Sequence, residues 1–205
     1  MNMNALEKLM VNNPLRTRML RQMATSLLRG AGASLAGTSV LEIGCGQGAG
    51  TEIALRHCGA DRIVAFDYDG AQLARAHARH RARGERRAVL FQGDAARLPF
   101  ADAQFDAVIE FAILHHVPEW PLALAEIARV LRPGGLFLYE EYLRGFTANP
   151  VTKLFLVHPE EGMFTAEMFY SRMDAVGFAR DPRQYRWGPF RLAGTARRAD
   201  SGSGV

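Results

Sequence analysis

Cysteine is scarce: the 205 residues include only Cys45 and Cys58. Cys45 stands inside a glycine turn, so no structural disulfide is expected, and the cytoplasm is the default compartment. Long apolar runs are missing too, so no membrane span is expected. Glu7 and Lys8 interrupt the first residues before an apolar core develops, so Met1–Leu9 carries no secretory pattern. There is no internal repeat and no low-complexity tract beyond the small, polar tail 199–205, which is expected to be disordered. The net charge of +4 comes largely from arginine, clustered at Arg75, Arg79, Arg81, Arg83, Arg86 and Arg87. No aromatic residues interleave with them to stack on bases, so the cluster reads as a solvated helix face, with no nucleic-acid partner. His115 and His116 are adjacent, and no third ligand stands at metal-site spacing, so no metal is expected.

The remainder has an ordinary globular composition, 48% apolar and 22% charged, and is long enough for one domain with a substantial core. Its organising stretch is Val40-Leu41-Glu42-Ile43-Gly44-Cys45-Gly46-Gln47-Gly48, a buried strand that ends in a glycine turn and leads into a helix from Thr51. Glycine allows positive φ and close approach of a ligand to the backbone, and the helix start aims free N–H groups at that ligand.

Before this stretch, residues 4–30 read as helical with a break at Asn12-Asn13-Pro14, because proline suits a helix start. Leu15, Met19, Met23 and Leu27 recur every four residues and mark an apolar face. These methionines serve either simple packing or a lid over a pocket. After it come strands at Arg62–Asp67, Ala88–Phe91, Phe105–Phe111 and Leu136–Glu140, separated by helices at Ala71–Arg83 and Leu122–Leu131. Near-continuous apolar strands alternating with helices predict a doubly wound α/β fold with a mostly parallel sheet. Residues 143–164 read as irregular, Thr165 as the cap of a helix to Val176, and Tyr185–Trp187 with Phe190–Ala196 as an antiparallel hairpin. One domain over 1–198 results, with N-terminal helices to 37, a ligand-binding core over 38–142 and a lid segment, helix and hairpin over 143–198.

Asp67 ends the second strand, where an acidic group can accept from both hydroxyls of a ribose; capping the next helix is the alternative. Gly44-x-Gly46-x-x-Ala49 also satisfies the looser dinucleotide fingerprint, so NAD and S-adenosylmethionine both remain open at this point. Further along stand Gln92-Gly93-Asp94-Ala95, Leu98-Pro99-Phe100, Phe105-Asp106-Ala107-Val108-Ile109, Leu114-His115-His116-Val117 and Arg129-Val130-Leu131-Arg132-Pro133-Gly134-Gly135. With this set the chain resembles the class I S-adenosylmethionine-dependent methyltransferases, in a small-molecule branch similar to the ubiquinone/menaquinone-biosynthesis C-methyltransferases. The resemblance covers 38–142 closely. It implies a Rossmann-like seven-stranded sheet whose last strand is antiparallel.

The resemblance also implies roles. Glu42 and the turn Gly44, Cys45, Gly46 and Gly48 would hold the methionine portion of S-adenosylmethionine. Asp67 would bind the ribose, and Tyr68 would pack near the adenine. Asp94 and the Ala95 backbone would meet the adenine edge, whose donor and acceptors they complement. Glu110, on strand four, joins this cofactor set. His115 and His116 fall on the substrate side of the crevice and suit a general base, or else orient the loop. Glu141, Tyr142 and His158 are candidate substrate contacts; a glutamate at the end of strand five could instead pair with Arg144 or another arginine. Strand four lacks the Asn/Asp-Pro-Pro-Tyr/Phe tetrad expected of enzymes that methylate exocyclic DNA amines or glutamine amides. The expected acceptor is therefore a small aromatic or apolar metabolite, with O-, N- or C-methylation and a homodimer left open. A binding module without turnover and an NAD-dependent oxidoreductase are the rival readings; no segment is long enough to supply the oxidoreductase's substrate domain.

Overall fold

The computed structural model describes residues 13–150, 152 and 163–200. Among them, α1 (Pro14–Gly30) precedes the alternating series β1 (Ser39–Ile43), α2 (Ala49–His57), β2 (Arg62–Asp67), α3 (Gly70–Ala82), β3 (Ala88–Gln92) and β4 (Phe105–Phe111). A 3-10 turn (Leu114–His116), α4 (Trp120–Val130) and β5 (Leu131–Tyr142) follow, then α5 (Arg144–Thr147), α6 (Ala166–Ala175), β6 (Phe178–Arg180), β7 (Tyr185–Trp187) and β8 (Arg191–Arg198).

The strands form one sheet in the order β3-β2-β1-β4-β5-β8-β6, with β7 also on β8. The first five strands are mutually parallel, and β8 runs antiparallel to β5, to β6 and to β7. The order reverses between β1 and β4, which is where a doubly wound sheet opens its ligand crevice. The sheet has eight strands, one more than the sequence suggested. The extra strand, β6, is three residues long and buries only Phe178, so it carries no alternating pattern to read. It and β7 lie end to end along β8, paired with Ala196–Arg198 and Arg191–Ala193 respectively.

Two apolar layers cover the sheet. On one face Leu41, Ile43, Val108, Phe137 and Tyr139 pack under α4 and α6 through Leu124, Ile127, Phe169 and Met173. On the other, Val40, Ile109, Phe111 and Leu138 pack under α1 and α2 through Leu20, Leu27, Leu28 and Ile53. Strand alternation therefore sends Glu110 and Glu141 to the α4/α6 face, and Glu42 and Glu140 to the α1/α2 face.

The Asn13 side chain accepts from Leu15 N at 2.8 Å and caps α1, with Pro14 in the first turn, so the expected start at the proline stands. The buried face is not the expected one. Leu20, Ala24, Leu27 and Leu28 are buried, while Leu15 and Met19 are 65% and 49% exposed. Both stripes have helical spacing; what the helix packs against chooses between them. Another correction concerns 143–164, where α5 occupies four residues. Residues 4–12, His158 and 201–205 lie outside the described residues. No described helix is long and apolar enough to cross a membrane.

Candidate active site

The turn after β1 is built on left-handed backbone at Gly44, Gly46 and Gly48, with φ of 67°, 53° and 80°. A Cβ on Gly46 would meet nothing within 4 Å, so the backbone there lies open, and the Asp67 carboxylate accepts from Gly46 N at 2.7 Å. The other Asp67 oxygen accepts from Asp69 N at 2.8 Å, while the cap of α3 is Asp69. Asp67 is thus not the helix cap. Burial raises its pKa despite these two donors.

Glu42 is buried beneath α2 and accepts from the Thr51 hydroxyl. Burial, opposed by Thr51 and reinforced by the Asp67 charge, raises its pKa to about 8. Burial likewise pushes the Cys45 thiol up, and both cysteines are free. Glu42, the Gly44–Gly46 turn and Asp67 line one cavity, of about 60 Å³, roofed by Arg16 and Leu20 of α1.

Tyr68, Asp94 and Ala95 do not line that cavity but flank it. Gly93 N donates to Asp67 O at 3.2 Å, and Gln92 Nε2 donates to Tyr68 O at 3.0 Å, which binds the ends of β2 and β3 together. Tyr68 is exposed; Asp94 is exposed and one of its oxygens accepts from Ala96 N at 2.9 Å, a turn contact; Ala95 is buried.

On the opposite face of the sheet, Glu141 is completely enclosed. Its carboxylate accepts from Ile113 N (3.1 Å), Leu114 N (2.5 Å) and His115 N (3.3 Å), and lies 2.6 Å from His115 Nδ1. It thereby gathers the whole 3-10 turn after β4. Burial raises the Glu141 pKa to about 7, with the Glu110 carboxyl and the three backbone donors pulling it back down. Burial, followed by the Glu141 charge, holds Glu110 well above the usual carboxylate range, so Glu110 is the protonated member and donates to Glu141. Glu141, a candidate substrate contact, thus engages the protein's own turn and imidazole, and Glu110, a candidate cofactor contact, sits behind Glu141 and outside the cavity lining.

The carboxyl group that pairs with arginine is Glu140, and its partners are Arg16 (3.6 Å) and Arg191 rather than Arg144. Burial raises its pKa and the two guanidinium groups oppose the rise. Tyr142 continues the line: its ring meets His115 edge-on at 5.5 Å, stacks on Phe146 at 4.6 Å, and faces the Arg191 guanidinium at 5.8 Å. The His115 and His116 rings are 4.2 Å apart, with His115 buried and His116 half-buried. Sequence reasoning missed Arg16, Thr51 and Arg191. Thr51 had a signal, since a hydroxyl in the first turn after a strand-end glutamate faces back toward it; the two arginines, remote in sequence from Glu140, had none.

Residues 41–139 match the family described as "Methyltransferase domain". A probable phthiotriol/phenolphthiotriol dimycocerosates methyltransferase 2 of Mycobacterium ulcerans is 39% identical over 109 residues, 53% of this chain and 41% of that protein. A fatty-acid O-methyltransferase of Mycolicibacterium smegmatis is 39% identical over 111 residues, 54% of this chain and 39% of that protein. The matched stretch therefore spans about two fifths of those relatives' length. Among solved structures, an S-adenosylmethionine-dependent methyltransferase from Mesorhizobium loti superposes with a TM-score of 0.69 at 18% identity, over 87% of this chain and 100% of that one, a likeness of fold. The ubiquinone/menaquinone branch expected from the sequence is not the one these relatives are named for.

Proposed function

We propose that this chain, whose residues 41–139 match the methyltransferase-domain family, is a class I S-adenosylmethionine-dependent methyltransferase that methylates a small apolar acceptor and uses His115 as the base. The carrying observation is that the C-terminal strand ends of the sheet carry both a buried cradle (Glu42, Gly44–Gly46, Asp67) and, after β4, a histidine held by an enclosed carboxylate. The cradle fits the cofactor. Glu42 offers a carboxyl group that can give up its proton to meet an ammonium group, Gly46 leaves backbone open, and Asp67 keeps lone pairs for ribose hydroxyls. Tyr68, Asp94 and the Ala95 backbone, at the ends of β2 and β3, would take the adenine. When bound, the cofactor supplies an electrophilic methyl group on its sulfonium.

What the chain must add is placement and removal of a proton. In the tautomer that carries its proton on Nδ1, His115 donates to Glu141 and Nε2 is the basic nitrogen that would meet a proton on the acceptor. As His115 takes that proton, the Glu141 charge beside it stabilises the cation. Glu141 is the positioning group; it fixes both the turn and the imidazole. Tyr142 and Phe146 form an apolar wall beside the imidazole. The relative named for fatty acids supports an apolar acceptor.

S-adenosylhomocysteine at a hundred times its dissociation constant should stabilise the fold by about 2.7 kcal/mol, raising Tm by roughly 5–10 °C. NAD should leave Tm unchanged; a shift with NAD alone overturns the reading. With labelled S-adenosylmethionine and a panel of apolar hydroxyl and carboxyl acceptors, His115→Ala should lower kcat about 10²–10⁴-fold. Glu141→Gln should lower kcat with little change in KM, and His116→Ala should spare the pH profile. Full activity in His115→Ala would remove the base assignment.

A further inference from the structure

A groove of about 220 Å³ runs between α1 and the β7–β8 hairpin, walled by Met19, Met23 and Ser26 on one side and by Tyr185, Trp187 and Arg191 on the other. Nothing in the cofactor cradle uses it. Its lining is apolar for a surface: Met19, Tyr185 and Trp187 are large and exposed. The walls are held in place. The Tyr185 and Trp187 rings stack at 5.9 Å, Tyr185 OH lies 3.1 Å from Ser26 Oγ, and the Arg191 guanidinium lies 4.8 Å from the Trp187 ring centre while donating to Met23 Sδ at 3.7 Å.

A line of packed side chains links the groove to the site. Arg191 pairs in register with Tyr142, whose ring touches His115. The hairpin turn is tied to the same end of β5, since Leu143 N donates to Phe190 O at 2.8 Å and Gly145 N to Pro189 O at 3.1 Å. One line of contacts thus leads from the imidazole past Tyr142 and Arg191 into a methionine-walled trough. Methionine side chains adapt to flexible apolar chains, and Arg191 is already committed to Glu140, so the trough offers little to a charged ligand.

We infer that this groove receives the hydrocarbon tail of the methyl acceptor, with Tyr142 and Arg191 at the junction between tail and reacting end. This rests on the methyl-transfer reading and narrows its acceptor to molecules with an unbranched apolar chain. A tail in the trough removes methylenes from water, and each one fully buried strengthens binding about fourfold.

Trp187 is a built-in reporter, since the only other tryptophan, Trp120, is buried against Phe164 and Phe169 in the opposite layer. Bromohexanol and bromodecanol, brominated at the chain end, quench an indole on contact. Bromodecanol should quench saturably and bind at least about tenfold more tightly than bromohexanol. Trp187→Phe should abolish the quenching, and Met19→Glu, at an exposed position, should weaken bromodecanol about tenfold. Equal affinity for the two alcohols, or quenching that survives Trp187→Phe, overturns the assignment. So does self-association in sedimentation that Met19→Glu abolishes, which would make a second copy the occupant. Calorimetry with S-adenosylhomocysteine on the same samples tests the cofactor reading separately. If that ligand binds and chain length has no effect, only the groove assignment falls; if bromodecanol binds and S-adenosylhomocysteine does not, the acceptor is no longer the occupant.

Discussion

Gly50 shows how tightly single residues define the cradle. A Cβ there would lie 2.0 Å from Glu42 Oε1 and 2.8 Å from Phe111 Cδ2. Both neighbours are buried, so neither can swing into solvent. Gly50→Ala should therefore cost about 1–3 kcal/mol in a denaturant titration, and it should displace Glu42 and weaken S-adenosylhomocysteine in calorimetry. A stable variant with full affinity would show that Glu42 is not a contact. The residues of the cradle were legible because each announces itself locally: glycines at alternate positions, then an acid at a strand end. Glu141 was read as a substrate contact, without the protein partners the structure gives it. Its place at the end of β5 could be read from the chain, but not that the turn after β4 would bring three N–H groups and an imidazole to it.

The elements were legible where they are long and regularly patterned, as β1 to β5 and the helices between them are. The rotation of α1 was not, because an amphipathic pattern with two apolar stripes does not say which faces the core. That rotation puts Arg16 and Leu20 over the cavity and Arg16 beside Glu140. Cofactor entry beneath α1 would push that helix outward, and the Arg16–Glu140 pair resists that movement. A partly exposed ion pair contributes about 0.5–1 kcal/mol. Arg16→Ala should accordingly speed both association and dissociation of S-adenosylhomocysteine about two- to fivefold in stopped-flow measurements, with a nearly constant Kd. Weaker binding without faster association would make Arg16 a ligand contact and α1 a fixed roof.

Taken over the whole molecule, the enclosed carboxyl groups set the response to pH. Glu42 and Glu141 have pKa values raised to about 8 and about 7, Glu110 is raised as well, and the ordinary value is 4.5. Between pH 4.5 and 8 the folded chain therefore holds protons that the unfolded chain has released, and stability falls as pH rises. Glu85, held at about 2 by Arg87, acts only below this window. The loss should reach a few kcal/mol, on the order of 1.4 kcal/mol for each tenfold gain in proton affinity on folding. Tm of the ligand-free protein should decline from pH 5 to 8, and Glu42→Gln should flatten the slope; a rising Tm would mean that these groups are ionised in the fold. Another consequence belongs to the sheet. β8 is the last strand among the described residues, yet it lies inside the sheet between β5 and the pair β6 and β7. During synthesis β5 must wait with an open edge while residues 143–190 are made, and Glu140 waits for Arg191. A strand edge beside an acid that still lacks one of its two arginines is a poor template for further pairing. The same glutamate that anchors the finished site thus guards the unfinished chain against joining its neighbours.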